Sequence, residues 1–580
     1  MHTITDDTQQ RILKRLSLLY GEERAPSVLE QLQQLAGNHI KKRIRSDRCQ
    51  IVWDEKAAIL IAYGDSLQST SELPLATLRR FLGKHVQHAF NCVHLLPFFP
   101  YCSDDGFSVI DYYQVNPDLG SWEDIEALGE DYCLMFDFVL NHISRESVWF
   151  TEFLNNLSPG KDYFITADPK ANLSKVIRPR SSSLLVEVPT RDEIRHVWAT
   201  FSHDQIDLNY ANPDVLLAMI EVLLFYVRKG ARILRLDACA FLWKEIGTTC
   251  MHLPQTHEVI KLFRDVLDDL EPGCRLLTET NVPHAENISY FGNYDEAHMV
   301  YQFSLPPLLL HALQTGQTRY LTTWAKSLDT PPPGCTYFNF TASHDGIGLR
   351  PLEGIIPKEE IDELLQGIRE RGGFVSKRLG VDGLEVPYEM NITYLDALRD
   401  PGMHPDYLHI SRFLLSQILA LSLQGIPGVY IHSLLGTPND MDGVERTGRI
   451  RSINRRKWDI HELERLLADE NSEQSAMLRE YTRLMNIRHN QKAFHPDATQ
   501  EIFELGDTLF GLKRTAPNGE QEILCLFNFT RYVKSLPLDD APLLGHGEWL
   551  DLLSGQSPQI ETATRELLLP AYAALWLVQQ

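Results

Sequence analysis

Carboxylates placed in or just after short apolar runs are the first feature of this 580-residue chain that could do chemistry. Asp137 lies in the run 134–140, Asp237 ends Arg235-Leu236-Asp237, Glu279 follows the run 275–278, and Asp345 closes Ser343-His344-Asp345. Two carboxyls at one ligand suit glycosyl transfer. One attacks the anomeric carbon, and the other must carry a proton to release the leaving oxygen. On that logic Asp237 is the expected nucleophile and Glu279 the general acid, then base. Asp345 is expected to grip sugar hydroxyls more strongly as the ring becomes oxocarbenium-like. Arg235, two residues before Asp237, faces the same way on a strand and should hold the aspartate ionised, with a lowered pKa. Asn141, His142 and His344 offer neutral donors to the same ring. A lone Arg-x-Asp is more often a structural ion pair; four such patterns in order at successive strand ends point to one site.

These residues share a pocket only if their strands converge. Eight apolar runs are short enough to be buried on both sides: 58–63, 92–96, 134–140, 231–236, 275–278, 299–303, 335–340 and 428–431. Helical patterns such as 214–228 and 257–270 lie between them. That alternation predicts a parallel sheet, and eight repeats predict closure into a (β/α)8 TIM barrel whose strand ends meet at one rim. The expected organisation is an N-terminal helical extension over 1–54, a catalytic barrel over 55–492 and a C-terminal antiparallel β domain over 493–580. In the extension, Ile12, Leu16 and Leu19 share one helical face, and Val28, Leu29, Leu32 and Leu35 begin the next. Insertions over 145–205 and 346–402 are too long for plain barrel loops and are expected to shape the pocket.

Bulk properties exclude other classes. The net charge of -23, from 78 acidic and 55 basic residues, repels polyanions and argues against nucleic acid as a partner. The basic run Lys41-Lys42-Arg43-Ile44-Arg45 has no aromatic interleaving and reads as a solvated helix end. Nine scattered cysteines fit a reduced, cytoplasmic setting, and no signal peptide or membrane span is expected. No Gly-rich phosphate loop suggests a nucleotide, nicotinamide or pyridoxal cofactor. No cofactor and no metal are expected.

The ordered motifs resemble the α-amylase superfamily of barrel glycoside enzymes. The likeness covers residues 55–580 and rests on 137–142, on Arg235-Leu236-Asp237-Ala238, on Glu279 and on 340–345. It implies the same roles for Asp237, Glu279 and Asp345, the last as transition-state stabiliser. A narrower likeness, to the sucrose phosphorylase branch, rests on His94-Leu95-Leu96-Pro97-Phe98-Phe99, Trp243-Lys244-Glu245-Ile246-Gly247-Thr248, 305–311, His344-Asp345-Gly346-Ile347-Gly348 and Ile453-Asn454-Arg455. It implies retaining phosphorolysis, with inorganic phosphate as co-substrate and α-glucose 1-phosphate as product. It also implies a glucosyl site including Asp65, Tyr112, His142, Arg235, His344 and Arg451, with Arg180 of Arg178-Pro179-Arg180 holding phosphate. A homodimer is common in that branch.

The chain departs from sucrose phosphorylases at Tyr112, Phe241, Asn281 and Glu389, where they carry histidine, tyrosine, histidine and glutamine. Fructose is therefore disfavoured as acceptor. Lys377, Arg378, Tyr388 and Glu389 are the candidate acceptor residues. Glu389 can accept hydrogen bonds from a neutral polyol and would repel an acid, which places glycerol first and 2-O-α-glucosylglycerol as substrate. A cation from Lys377 or Arg378 keeps glucosylglycerate and sucrose 6'-phosphate open. The glycines at 372 and 373 suggest that this loop moves. A glucosidase, a transglucosidase or a non-catalytic sugar-binding protein are the contrasting readings.

Overall fold

The computed structural model describes residues 4–42, 53–380, 384–538 and 547–580. Eight strands form a closed parallel barrel: β1 (Ile59–Ala62), β2 (Cys92–Leu95), β3 (Cys133–Val139), β4 (Ala231–Asp237), β5 (Arg275–Thr278), β6 (Met299–Tyr301), β7 (Thr336–Phe340) and β8 (Ile426–Tyr430). They follow one another around the barrel in chain order, and β8 closes on β1 with Gly428 opposite Ile59. All eight expected strands are present. Their bounds agree to within two residues.

The turn from helix Pro213–Lys229 into β4 shows how local sequence fixes the frame. Asn212 caps the helix by accepting from the Asp214 N–H, and Pro213 stands where no intrahelical N–H partner is needed. Gly230, at φ 117°, ends the helix and lets the chain turn straight into Ala231.

Two helices precede the barrel, α1 (Asp6–Tyr20) and α2 (Ala25–Lys42). Ile12, Leu16 and Leu19 are buried as their spacing requires, and so are Val28 and Leu32. Leu29 and Leu35 are only partly buried, while Ala36 and His39 complete the inner face of α2. Arg15 anchors α1 through Asp265 at 2.6 Å and Asp295 at 3.1 Å. His39 lies 2.9 Å from Glu271. Arg43-Ile44-Arg45 and Cys49 fall outside the described residues.

Both insertions carry structure of their own. The first contains the hairpin Leu185–Pro189/Ile194–Trp198, and its strand Gln205–Asp207 pairs with His142–Ser144. The second contains helix Lys358–Glu370 and the antiparallel strands Phe374–Leu379 and Glu385–Asn391. The glycines at 372 and 373 close that helix, with Gly373 N–H donating to Ile368 O at 3.0 Å, and lead into the hairpin. They end an element.

After the barrel, strands Thr499–Phe503, Leu509–Thr515, Glu522–Asn528, Trp549–Asp551 and Ala574–Gln579 form an antiparallel sheet. Leu509, Leu524, Leu526 and Leu577 of this sheet pack on Leu536, Leu567 and Leu569 of a second, three-stranded sheet. Trp576 instead faces the barrel side, donating to Ser422 Oγ at 2.7 Å. No helix among the described residues is long and apolar enough to cross a membrane.

Candidate active site

The ends of β3, β4, β5 and β7 open onto one cavity lined by His142, Asp237, Glu279, His344 and Asp345. Asp104, Arg180, Tyr388, Glu389 and Arg451 line it from the loops and insertions. The three expected carboxylates are thus brought together from three different strand ends, as barrel closure requires.

Beneath them lies a fully buried charge layer. Arg235 pairs with Asp137 and, at 2.8 Å, with Asp237; its Nη2 is 4.0 Å from Glu279, and its Nε donates to Tyr301 Oη at 3.1 Å. His94 lies 2.7 Å from Asp137. One guanidinium therefore serves three carboxylates. Burial pushes the Asp237 and Glu279 carboxyls above their usual range, with Arg235 opposing it for both. The lowered pKa expected for Asp237 is corrected on this point. The ion pair is present, but desolvation and the neighbouring Glu279 and Asp137 charges outweigh it. Two such buried carboxyls titrate as a coupled pair. Arg235 is nearer Asp237 than Glu279, so its charge favours ionisation more at Asp237. Retaining glycosyl transfer needs one ionised and one protonated carboxyl.

The backbone contributes as well. Ala238, directly after Asp237, adopts φ 50° and ψ 30°, a left-handed conformation unusual for a residue with a Cβ. Its N–H donates to Glu279 Oε2 at 3.0 Å, so the strained turn couples the two carboxylates. Asp104 and Asp105 are also left-handed, at φ 52° and 48°.

Asp345 is held differently. Burial opposes its ionisation, yet neighbouring His344, Arg451 and Arg455 keep its carboxyl well below the usual range. Arg451 Nη1 lies 2.8 Å from Asp345, and His344 Nε2 lies 3.3 Å from it. Burial pushes the His344 ring down to about 3, so it is neutral at pH 7 and stacks on Phe107 at 4.8 Å. His142 is also lowered by burial and lies 2.9 Å from Phe107 O through Nε2.

Several expected site residues lie elsewhere. Asp65 is outside this cavity: it pairs with Lys457 and lines a separate cavity with Tyr63 and Asp105. Asp104, not selected from the sequence, faces the sugar cavity in its place, 3.9 Å from Arg451 and 3.6 Å from Arg455. Tyr112 is buried behind the strand end, donating to Val139 O at 2.8 Å and His142 O at 3.1 Å, so it braces His142. Arg235 lies under the carboxylates and does not line the cavity. Asn141 is fully engaged, accepting from Lys244 at 2.7 Å and donating to Asp207 at 3.1 Å.

On the second insertion, Lys377 and Arg378 take opposite faces of their strand. Lys377 is exposed, pairs with Glu385 at 3.1 Å and lines an outer cavity that shares Asp104, Arg180, Tyr388 and Glu389 with the sugar cavity. Arg378 faces a recess beside Glu279 and lies 3.3 Å from Glu353. Glu389 does line the cavity, but its carboxylate is taken up. Arg451 grips it at 2.9 and 3.1 Å, and the Gly346 N–H donates to it at 3.1 Å. Gly346 and Gly348 are explained by this crowding: a Cβ would meet Glu389 Cγ at 2.4 Å and the Asn281 side chain at 2.4 Å respectively. Asp104 and Arg455 had one legible signal each, the Asp-Asp-Gly turn and the Ile453-Asn454-Arg455 motif. Neither signal shows which side chain turns inward.

Comparison with known proteins agrees with this geometry. Residues 87–345 match the alpha amylase catalytic domain. A glucosylglycerate phosphorylase of Escherichia coli K12 is 43% identical over 98% of this chain and 100% of its own. A glucosylglycerol phosphorylase of Marinobacter adhaerens is 31% identical over 76% of this chain and 88% of its own. The crystal structure of sucrose 6F-phosphate phosphorylase from Thermoanaerobacter thermosaccharolyticum superposes with a TM-score of 0.71 at 25% identity, covering 89% of this chain and 98% of that one. The chain belongs to the α-amylase family, in the branch that holds the glucosylglycerate, glucosylglycerol and sucrose phosphorylases.

Proposed function

We propose that this chain is a retaining α-glucoside phosphorylase whose substrate is 2-O-α-glucosylglycerate. It is an enzyme of the glycoside phosphorylase class. Asp237 attacks the anomeric carbon while Glu279 passes its proton to the departing glycerate oxygen, leaving a β-glucosyl ester on Asp237. A phosphate oxygen then attacks the same carbon, the ester bond breaks, and Glu279 takes the phosphate proton. The product is α-glucose 1-phosphate, with net retention. Asp104, His142, His344, Asp345 and Arg451 surround the glucosyl ring, and Arg180, stacked over Tyr388 and Phe201, meets phosphate. The reaction runs in the cytoplasm and needs no cofactor; dialysed enzyme is expected to keep full activity.

The observation that carries the choice of acceptor is the Arg451–Glu389 pair. The preference for glycerol rested on a free Glu389 carboxylate repelling an acid. With that charge paired to Arg451, the repulsion is reduced, and Arg180 adds a cation to the same cavity. The likeness to glucosylglycerate phosphorylases along nearly the whole chain supports the same reading. Supplying α-glucose 1-phosphate with glycerate, glycerol, fructose or fructose 6-phosphate tests it. Glycerate should lead by at least about tenfold in kcat/KM, roughly 1.4 kcal/mol of transition-state discrimination. Equal or better use of glycerol would return the assignment to glucosylglycerol. Phosphate-independent glucose release as the main activity would make the enzyme a hydrolase.

A further inference from the structure

Beside the sugar cavity lies a recess that shares Glu279, Asn281 and Tyr388 with it, so the two are continuous. Three guanidiniums line the recess: Arg178, Arg350 and Arg378. Two of them already have carboxylates, Arg350 with Glu286 at 3.2 Å and Arg378 with Glu353 at 3.3 Å. Arg178 forms no ion pair among the described residues, and its Nη2 is sealed from solvent without a hydrogen-bond partner. Burial lowers its pKa, and no carboxylate opposes that shift. Asn281 Oδ1 in the same recess is also buried without a donor. A half-buried guanidinium with one sealed, unpartnered nitrogen and an orphaned carbonyl oxygen are both unfavourable alone. Together they specify a ligand with one anionic fork and one hydroxyl.

The surroundings say where that ligand stands in the reaction. Glu279 must reach the leaving oxygen, so the leaving group occupies the space next to it. Pro179 separates Arg178 from Arg180. Arg180 reaches the sugar cavity over Tyr388, while Arg178 lines only the recess.

Resting on the glycerate reading above, we infer that Arg178 and Asn281 form the subsite that selects a small hydroxy acid as leaving group. The planar guanidinium takes the carboxylate through two N–H donors, and a free hydroxyl of the acid donates to Asn281 Oδ1. Glycerol offers the hydroxyl but not the anion. Arg178 is thus the residue that separates an acid from a polyol of the same length.

The test is the ratio of kcat/KM for glycerate to that for glycerol, with α-glucose 1-phosphate as donor, in wild type, Arg178→Gln and Arg178→Lys. The KM for inorganic phosphate in the forward direction is measured on the same proteins. The expected result is a fall of tenfold or more in the ratio for Arg178→Gln, carried by the glycerate KM, with a smaller fall for Arg178→Lys, which keeps the charge but loses the fork. A merely structural role would lower both acceptors together and leave the ratio intact, which overturns the inference. So does a rise in phosphate KM with an unchanged ratio, which would make Arg178 a phosphate residue. Should Arg178→Gln not fold, Arg178→Lys decides, with a fall of less than threefold counting against the inference. A wild type that does not prefer glycerate defeats the functional reading itself. A glycerate-preferring wild type whose variants keep the ratio defeats only the Arg178 assignment.

Discussion

The two ends of the active-site cavity are built on opposite plans. At the glucosyl end, the carboxylates on or behind the strand ends are held by ion pairs. Arg235 serves Asp137, Asp237 and Glu279, while Arg451 and Arg455 hold Asp345. At the acceptor end, Arg178 and Arg378 come from insertions and Asn281 from just past β5, and Arg178 Nη2 and Asn281 Oδ1 are left without hydrogen-bond partners. A braced end is pre-organised for charge that develops on a ring which every substrate of the branch shares. An under-satisfied end can be completed by whichever leaving group matches it. Specificity can therefore change by substitution in loops without disturbing the chemistry held on strands.

The sharpest way to break the braced end is to remove the proposed nucleophile. Asp237→Ala should lower phosphorolysis by about 10⁴-fold or more, since the covalent route is lost. Phosphate-dependent release of α-glucose 1-phosphate measures this, and a loss of less than tenfold would exclude Asp237 as nucleophile. Glu279→Gln should cost about 10²- to 10⁴-fold on glucosides with poor leaving groups and far less on α-glucosyl fluoride, which needs no proton. Burial raises the Glu279 pKa, and the acid form is the one that donates. Wild-type activity on a poor leaving group should therefore fall as pH rises through that raised pKa. Comparing pH profiles on the two donors checks this: equal alkaline falls would remove Glu279 from the acid role.

The junction between the two ends is the Arg451–Glu389 pair. Glu389→Ala leaves Arg451 with Asp345 and the more distant Asp104, so a stability loss of about 2–3 kcal/mol is expected, below the full cost of an orphaned buried charge. Urea unfolding reads it directly. The same variant should weaken glucoside binding, because Arg451 also orients Asp345. Unchanged stability would mean that the pair is not formed in solution.

The smallest expected effect lies at the phosphate. Arg180→Ala should raise the phosphate KM by about tenfold, roughly 1.4 kcal/mol, while changing formation of the glucosyl-enzyme little. Initial rates at varied phosphate distinguish this from a loss confined to acceptor binding, which would assign Arg180 to the acceptor.

The sequence alone determined the barrel and the meeting of its strand-end carboxylates in one cavity. Eight apolar runs alternating with helical periods admit few closures, and a strand-end position fixes where a side chain goes. Asp237, Glu279 and Asp345 could thus be placed together from spacing. The two N-terminal helices were legible for the same reason, since Ile12, Leu16 and Leu19 share a face by period alone. The tertiary structure decided what periodicity does not encode. A turn residue such as Asp104 or Asp65 can swing to either side of the rim, and only the packed loops put Asp104 in the sugar cavity and Asp65 against Lys457. Likewise, whether Glu389 repels or admits an acid depends on Arg451, which lies 62 residues away in the chain. Charge at a site is a sum over neighbours in space, and for loop residues those neighbours are set by long-range closure.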